Sequence, residues 1–503
     1  MRFDEILQGV VTLSHGGDPG VEIRGVAYDS RRVEQGFLFV AVRGFQVDGH
    51  EFVSSAIERG AVAVVVEEEA SVPPGVAWAL VRDGREALAL LAARFYGEPA
   101  QKLTMVGVTG TNGKTTTTCL IAAVLEAAGK KTGLLGTIHN RIGNRIIPGS
   151  HTTPESRDLQ ELLKEMVDEG VDACVMEVSS HALALSRVVG CEFDLALFTN
   201  LTQDHLDLHH TMENYLAAKL KLFRELQNPG AKGRVKLALI NTDDPAAGSF
   251  IAAAQEAGAR ICTYGIDSAA DVRAKGIDVN SRGASFDIDS PFGSCRLELS
   301  LTGRFNVYNS LSAFAAAGLL EVPVPVIKEA LEQIKEVPGR FTSLDEGQDF
   351  TVIVDYAHTP DGLENTLSTA RRLTDGRVIT VYGCGGDRDR DKRPQMGKIA
   401  AQYSDFQIVT ADNPRSEDQK AIAEDIMTGV RQMVGEEYYL VEPDRRKAIY
   451  LAVNMARPGD LVMIAGKGHE DYQIVGKVKH HFDDAEVARE ALRNHKLQIT
   501  NHK

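Results

Sequence analysis

The chain has 503 residues, 43% hydrophobic and 25% charged, an ordinary globular composition too long for one hydrophobic core. A formal net charge of −15 argues against a nucleic-acid-binding role, which needs basic surface for phosphate contacts. Six scattered cysteines, at 119, 174, 191, 262, 295 and 384, form no C-x-x-C pair, so neither a zinc site nor a disulfide framework is indicated. The opening Met1-Arg-Phe-Asp-Glu5 has no signal-like apolar stretch, and no apolar run approaches the ~18 residues of a membrane span. The expected setting is the reducing cytoplasm, without membrane insertion.

Residues 1–98 are expected to form the first domain. The apolar runs Gly36–Val42 and Ala61–Val66 read as buried strands, with helical patterns between and after them. Two polar clusters, Tyr28-Asp-Ser-Arg-Arg32 and Gly44-Phe-Gln-Val-Asp-Gly-His50, read either as capped turns or as a small-ligand site. Phe95-Tyr-Gly-Glu-Pro99 has the composition of a linker.

Residues 99–337 are expected to form a second domain around Gly107-Val-Thr-Gly-Thr-Asn-Gly-Lys-Thr-Thr116. The loop follows the apolar strand Leu103–Val108. It precedes a helical pattern of Leu120, Ile121, Val124 and Leu125 that stops at Gly129. Strand, Gly-rich turn with Lys-Thr, then helix is a phosphate cradle. Backbone N–H groups and the helix N-terminus face the phosphates, the Lys neutralises them, and the Thr hydroxyl reaches Mg²⁺. The general pattern G-x-x-x-x-G-K-[ST] wants glycine where this chain has Val108. The strand–helix alternation that follows predicts a parallel sheet.

Three features of this domain carry chemistry. The strand Ala173-Cys-Val-Met-Glu177 stops at a carboxylate, placed as a nucleotide's Mg²⁺ ligand would be, and Val-Ser-Ser-His181 follows. The strand Leu195–Leu201 leads to Thr-Gln-Asp-His-Leu-Asp207, where His205 is a second candidate metal ligand. In Glu213–Phe223, Leu216, Leu220 and Phe223 form an apolar helical stripe, and Lys219 lies on it while Lys221 does not. A Lys on a buried face is costly, so Lys219 either snorkels to the surface or is deprotonated or modified near the metal. Farther on, Asn306 and Asn309 read as helix caps or as adenine contacts.

Residues 338–503 are expected to form a third domain. Four apolar strands each end in a polar cluster: Asp355-Tyr-Ala-His-Thr-Pro-Asp361, Gly383-Cys-Gly-Gly-Asp-Arg-Asp389, Ala411-Asp-Asn-Pro-Arg415 and Gly466-Lys-Gly-His-Glu470. Four such clusters fit one crevice at the C-terminal edge of a parallel sheet. Their mix of Arg388, Asn413 and Arg415 with carboxylates such as Glu470 suits a zwitterion such as an amino acid.

Thr109-Gly-Thr-Asn-Gly-Lys-Thr115, Met176-Glu-Val-Ser-Ser-His181, Ala217-Ala-Lys219, Asp355-Tyr-Ala-His-Thr-Pro360 and Gly383-Cys-Gly-Gly-Asp-Arg388 together resemble the Mur ligases of peptidoglycan synthesis, over essentially the whole chain. Gly110-Thr-Asn-Gly-Lys114 is that family's own form of the loop, which accounts for Val108. Asp412-Asn-Pro-Arg415 is similar to the motif of the subclass adding meso-2,6-diaminopimelate, and lysine-adding relatives typically lack the Arg.

The resemblance implies an α/β protein of three domains: a smaller N-terminal α/β domain for the UDP-substrate, a central P-loop ATPase with a parallel sheet and helices, and a C-terminal Rossmann-like domain for the amino acid. It implies a cytoplasmic, monomeric enzyme of cell-wall biogenesis, cell shape and division. The implied reaction is ATP-dependent ligation of meso-2,6-diaminopimelate to the D-Glu side-chain carboxylate of UDP-N-acetylmuramoyl-L-alanyl-D-glutamate, through an acyl phosphate. The implied ATP contacts are Gly110, Thr111, Asn112, Gly113, Lys114, Thr115, Thr116, Asn306, Arg340 and Asp355. Those to the UDP-substrate are Tyr28, Ser30, Phe45, Gln46, Val47, His151, Thr152, Thr153, Ser179 and Arg187; His151 stands where relatives often have Asn, and Leu185 where some have Gln. The diaminopimelate set is Arg388, Asp412, Asn413, Pro414, Arg415, Gly466 and Glu470. Mg²⁺ would be held by Thr115, Glu177, His205 and a CO₂-derived carbamate on Lys219, and the catalytic set is Lys114, Lys219, His205 and Glu177. His358 is a candidate base for the incoming amine. The alternatives are the same ligation with L-lysine, a ligase like folylpolyglutamate synthetase and, from another class, a nucleotide-gated binding protein.

Overall fold

Three sheets succeed one another along the chain, each built from apolar runs that stop at turns. The computed structural model describes residues 1–501 except 45–46, 69–71, 148, 150, 227–229 and 281, and the side chains of 498–501 lie outside the description.

The N-terminal sheet has the spatial order Thr12–Gly16, Ala77–Val81, Ala61–Val66, Phe37–Val40, Gly25–Ala27. Only the edge strand Thr12–Gly16 runs antiparallel. Helix Gly84–Phe95 starts where the Asp83 carboxylate accepts from the N–H groups of Arg85 and Glu86. It buries Ala87, Leu88 and Leu91 against the sheet. Two strands of this sheet were legible in the apolar runs; the other three are short or edge-like.

Six parallel strands form the heart of the central sheet: Arg260–Gly265, Leu237–Asn241, Leu195–Phe198, Thr104–Thr109, Ala173–Glu177 and Thr132–Leu135, in that order. Thr104–Thr109 is buried on both faces, which is why it reads as a continuous apolar run. Its neighbours are Ala173–Glu177 on one side and Leu195–Phe198 on the other. The chain therefore switches sides at this strand, and the segments after residues 109, 177 and 198 share one crevice.

The expectation of a parallel sheet holds for this core but not for its flanks. The meander Val272–Asn280, Gly283–Asp289, Cys295–Leu299 joins Arg260–Gly265 in parallel and then continues in antiparallel pairs, and Asn140–Ile142 with Arg145–Ile147 extends the other side antiparallel. Phe286 and Ile288 point inward while Asp287 and Asp289 are exposed, the alternation of a strand wet on one face.

The third sheet has the order Thr342–Leu344, Thr351–Asp355, Leu461–Ala465, Val378–Tyr382, Phe406–Val409, Tyr439–Val441, and all but the first strand are parallel. Four of these strands precede the four polar clusters, and they are adjacent. A separate hairpin, Tyr472–Val475 with Val478–His481, follows the last cluster. Helix Asp484–Asn501 packs Val487, Ala488 and Leu492 on the sheet. Among the described residues no helix is long and apolar enough to cross a membrane.

Candidate active site

The loop Gly110–Gly113 joins strand Thr104–Thr109 to helix Lys114–Ala127. Gly113 has φ +85°, and a Cβ there would lie 2.5 Å from the Asn309 amide oxygen, so both conformation and space call for glycine. Thr199, just past the neighbouring strand, donates its hydroxyl to the carbonyl of Asn112 at 2.7 Å. Lys114 folds back over the loop, donating to the carbonyls of Gly110 at 2.9 Å and Thr111 at 2.8 Å. Burial lowers its pKa, against the pull of Glu177 and Asp204.

Glu177 is 1% exposed at the end of its strand. Its Oε2 accepts from the Thr115 hydroxyl at 3.0 Å, and its Oε1 from the Thr137 N–H at 2.7 Å. Arg340, from the third region, donates through Nη2 to the Thr115 hydroxyl at 2.9 Å. A carboxylate and a hydroxyl in contact at the mouth of a phosphate cradle are the hard oxygen donors that Mg²⁺ takes. Among the described residues no three His, Cys, Asp or Glu side chains form a metal-holding group. A fit to Mg²⁺ therefore rests on few protein ligands plus nucleotide phosphates, which is the usual habit of this ion.

Lys219 is 1% exposed on helix Met212–Arg224, as the apolar stripe predicts. It does not snorkel: Nζ donates to the Gly110 carbonyl at 2.7 Å and lies 4.5 Å from the Tyr215 ring centroid. Burial, then the charge of Lys114, holds its pKa well below the ordinary lysine value. His205 has φ +54° and packs edge-on against His181, with ring centroids 4.7 Å apart. Burial outweighs the Asp204 carboxylate and brings the imidazole down to about 4, so it is neutral near pH 7.

Asn306 and Asn309 do not cap their helix, Arg304–Leu319, whose cap position is Gly303. Asn306 donates to the Thr302 carbonyl at 2.8 Å, and Asn309 donates to Asn306 at 3.0 Å. They form a buried buttress under Gly113. Asp355 is also committed locally, accepting from the N–H groups of Phe341 and Ala357 and from the Thr366 hydroxyl. Burial raises its pKa against those bonds and the charge of Arg340. Burial, then Lys392, lowers the pKa of His358, whose Nδ1 is 2.9 Å from the Tyr356 carbonyl.

Asp361 joins the second and third regions. Its Oδ2 accepts from Thr202 at 2.9 Å and from the side chain of Asn112 in the loop. The first and second regions meet at Tyr28, whose hydroxyl donates to Asp158 at 2.8 Å, and Arg32 donates to the same carboxylate at 3.0 Å. Tyr28 and Arg32 line a cleft with Phe37 and Arg157. Ser30 is buried beside it, Val47 is exposed, and the Phe45 and Gln46 assignments lie outside the described residues. In the second region the Thr153 hydroxyl donates to the Glu177 carbonyl at 2.8 Å, and Ser179 caps the helix Ser180–Ala184. Thr152 meets Thr137 at 3.1 Å, and exposed His151 precedes it. Arg187 donates to the Thr153 carbonyl at 3.1 Å and pairs with Glu155 at 2.6 Å.

The C-terminal clusters converge as their strand register dictates. Asn413 donates to Glu470 Oε2 at 2.8 Å, and its Oδ1 accepts from the Ile474 N–H at 2.9 Å. Arg415 has φ +51°, exchanges backbone hydrogen bonds with Ile474 and Gly476 of the hairpin, and donates through Nη1 to the Gly386 carbonyl at 2.7 Å. Gly466 has φ +121° and its N–H donates to the Asp355 carbonyl at 3.0 Å, joining two clusters. Arg388 is the outlier: it is exposed and its guanidinium rests on the Asp387 carbonyl.

Sequence reasoning missed three residues that shape this pocket. Lys467 is wholly buried between Asp412, Asn413 and Glu470. Arg445 is wholly buried too; it pairs with Asp484 at 2.6 Å and donates to the carbonyls of Ala411 and Ala465, where two of the clusters begin. Arg393 holds Glu417 and Asp425 and donates to the Gly385 carbonyl. Lys467 had a signal in the sequence, a lysine three residues before a glutamate at a strand end; the two arginines sit in amphipathic helices and look like surface charge.

A phosphate-cradling loop at one sheet edge, with a mixed-charge pocket at the edge of the next, defines the class: an ATP-dependent ligase. Family profiles match successive stretches: the Mur ligase family catalytic domain over residues 22–96, the Mur ligase middle domain over 108–317, and the Mur ligase glutamate ligase domain over 339–468. The UDP-N-acetylmuramoyl-L-alanyl-D-glutamate–2,6-diaminopimelate ligase of Geobacillus kaustophilus is 50% identical over 479 residues, 95% of this chain and 96% of that one. A solved structure of a ligase of that name matches with TM-score 0.70 and 33% identity over 99% of both chains. The MurF ligase of Thermotoga maritima, solved in complex with ADP, shares the fold with TM-score 0.60 and 17% identity over 96% of this chain and 99% of that one. The chain belongs to the Mur ligase family.

Proposed function

We propose that this enzyme joins meso-2,6-diaminopimelate to the D-Glu side-chain carboxylate of UDP-N-acetylmuramoyl-L-alanyl-D-glutamate at the expense of ATP. The observation that carries the reading is the junction at Thr115, where the phosphate loop, Glu177 and Arg340 of the third region meet within 3.0 Å. Units divided near residues 98 and 337 would hold UDP-substrate, ATP and amino acid in turn.

The D-Glu carboxylate attacks the γ-phosphorus of ATP, the bond to ADP breaks, and an acyl phosphate forms. Lys114 leaves the loop carbonyls for the phosphates and offsets the negative charge of transfer. Thr115 and Glu177 would hold Mg²⁺, with His205 and a carbamate on Lys219 as its further ligands. When bound, the ion neutralises charge on the phosphoryl oxygens. Lys219 is suited to the modification because CO₂ adds to a neutral amine, releasing a proton and leaving an anionic carbamate, and its burial favours the neutral form.

The amine of diaminopimelate then attacks the acyl carbon, and phosphate leaves. Arg415 clamps the distal carboxylate, which lysine lacks, so lysine would leave the guanidinium without its partner. The discriminating experiment is phosphate release with the UDP-dipeptide, comparing diaminopimelate with L-lysine. Release that needs both the dipeptide and diaminopimelate supports the reading. Equal release with lysine, or release indifferent to the dipeptide, overturns it.

A further inference from the structure

Lys467 has no solvent-exposed surface, yet it lies two residues past a strand end in the amino-acid pocket. A buried ammonium must be paired, and its partners are specific. Nζ donates to Glu470 Oε2 at 3.1 Å and to Asn413 Oδ1 at 3.2 Å, and lies 3.6 Å from Asp412 Oδ1. Asn413 closes the triangle by donating through Nδ2 to Glu470 Oε2 at 2.8 Å.

Two consequences follow from this geometry. The Asn413 amide has one possible orientation, because its oxygen accepts from Lys467 and from the Ile474 N–H while its nitrogen donates to Glu470. Both bonds to Glu470 converge on Oε2, and neither uses Oε1. A core ion pair placed only for stability would have no need to order a pocket amide. We propose that Lys467 is a positioning residue of the amino-acid pocket: it pins Glu470 by Oε2 and sets the Asn413 amide, so that Glu470 Oε1 faces the ammonium group of a diaminodicarboxylic acid.

This inference rests on the amino-acid pocket of the proposed function, and the test separates the two. Steady-state ligation is measured for wild type, Lys467→Met, Glu470→Gln and the double variant, with KM taken separately for diaminopimelate and ATP. Loss of a charge-assisted hydrogen bond predicts a KM for diaminopimelate raised by about tenfold or more in Lys467→Met, with the KM for ATP within about twofold. Because Lys467 acts through Glu470 and the Asn413 amide bonded to it, the double variant should be less impaired than the product of the two single effects. Independent, multiplying effects, or equal damage to both KM values, would overturn the inference. If Lys467→Met loses its folded melting transition, Lys467→Arg takes its place, retaining charge but not the compact donor; a raised KM for diaminopimelate is again expected, and a wild-type KM overturns the proposal. A wild-type enzyme that ligates no diaminopimelate removes the functional reading and this inference with it, whereas wild-type ligation with an unchanged Lys467→Met removes this inference alone.

Discussion

Lys219 Nζ lies 2.7 Å from the carbonyl oxygen of Gly110, 109 positions earlier in the chain. The amine thus reaches the phosphate loop from beneath, and its burial favours the uncharged form. Lys219→Ala should lower ligation by on the order of 10²–10³-fold, the scale of one preorganised electrostatic group. Short carboxylates such as acetate should restore part of it by replacing the carbamate anion. Full activity of the variant without rescue would remove the carbamate from the scheme.

Arg415 spends unfavourable backbone conformation, φ +51°, to stand between the Gly386 carbonyl and the hairpin. Arg415→Ala should raise the KM for diaminopimelate by about 100-fold, the scale expected when a buried charged partner is lost. The KM for ATP should stay near wild type. Competition kinetics against lysine should show the preference for diaminopimelate shrinking, and an unchanged KM would place the distal carboxylate elsewhere.

The Arg445–Asp484 pair is wholly buried and ties the final helix to the carbonyls of Ala411 and Ala465. Asp484→Asn leaves the guanidinium without its counter-charge, at a cost of about 3–5 kcal/mol. Urea denaturation would register this as a lower midpoint. A midpoint equal to wild type would mean that the guanidinium finds another anion.

Glu417 gives a pH dependence with a defined sign. The Arg393 hydrogen bonds draw its carboxyl from 4.5 down to about 2. Its folded pKa lies below its unfolded value, so its contribution is complete above about 4.5 and is lost as pH falls toward about 2. The slope of melting temperature against pH over that interval should flatten in Glu417→Gln. An identical slope in the two proteins would exclude Glu417 as a source of acid sensitivity.

Strands buried on both faces were the most legible elements: Ala61–Val66, Ala173–Glu177, Val378–Tyr382 and Leu461–Ala465 lie where their apolar runs stop. The Lys219 position was legible because one polar residue interrupts a helical stripe. The meander Val272–Leu299 was not read, because half-wet strands carry weaker apolar runs. Asn306 and Asn309 read as caps or adenine contacts because a short polar side chain at a helix start satisfies local rules; their role as a buttress depends on Gly113, nearly 200 positions away. Arg445 and Arg393 escaped for a related reason: charge on an amphipathic helix looks solvated until the partner across the sheet is known.

Buried Lys467 also bears on the charge balance of the proposed amino-acid pocket. Asp412 and Glu470 contribute two negative charges, and Lys467 and Arg415 two positive ones, all within one connected set of loops. These four side chains carry no net charge between them. On the proposed assignment, a diamino acid with two carboxylates would bring no net charge to these groups, while lysine would add a surplus positive one. Selection by total charge would act wherever among these groups the guest lay, and so would reinforce the proposed Arg415 clamp without depending on its geometry.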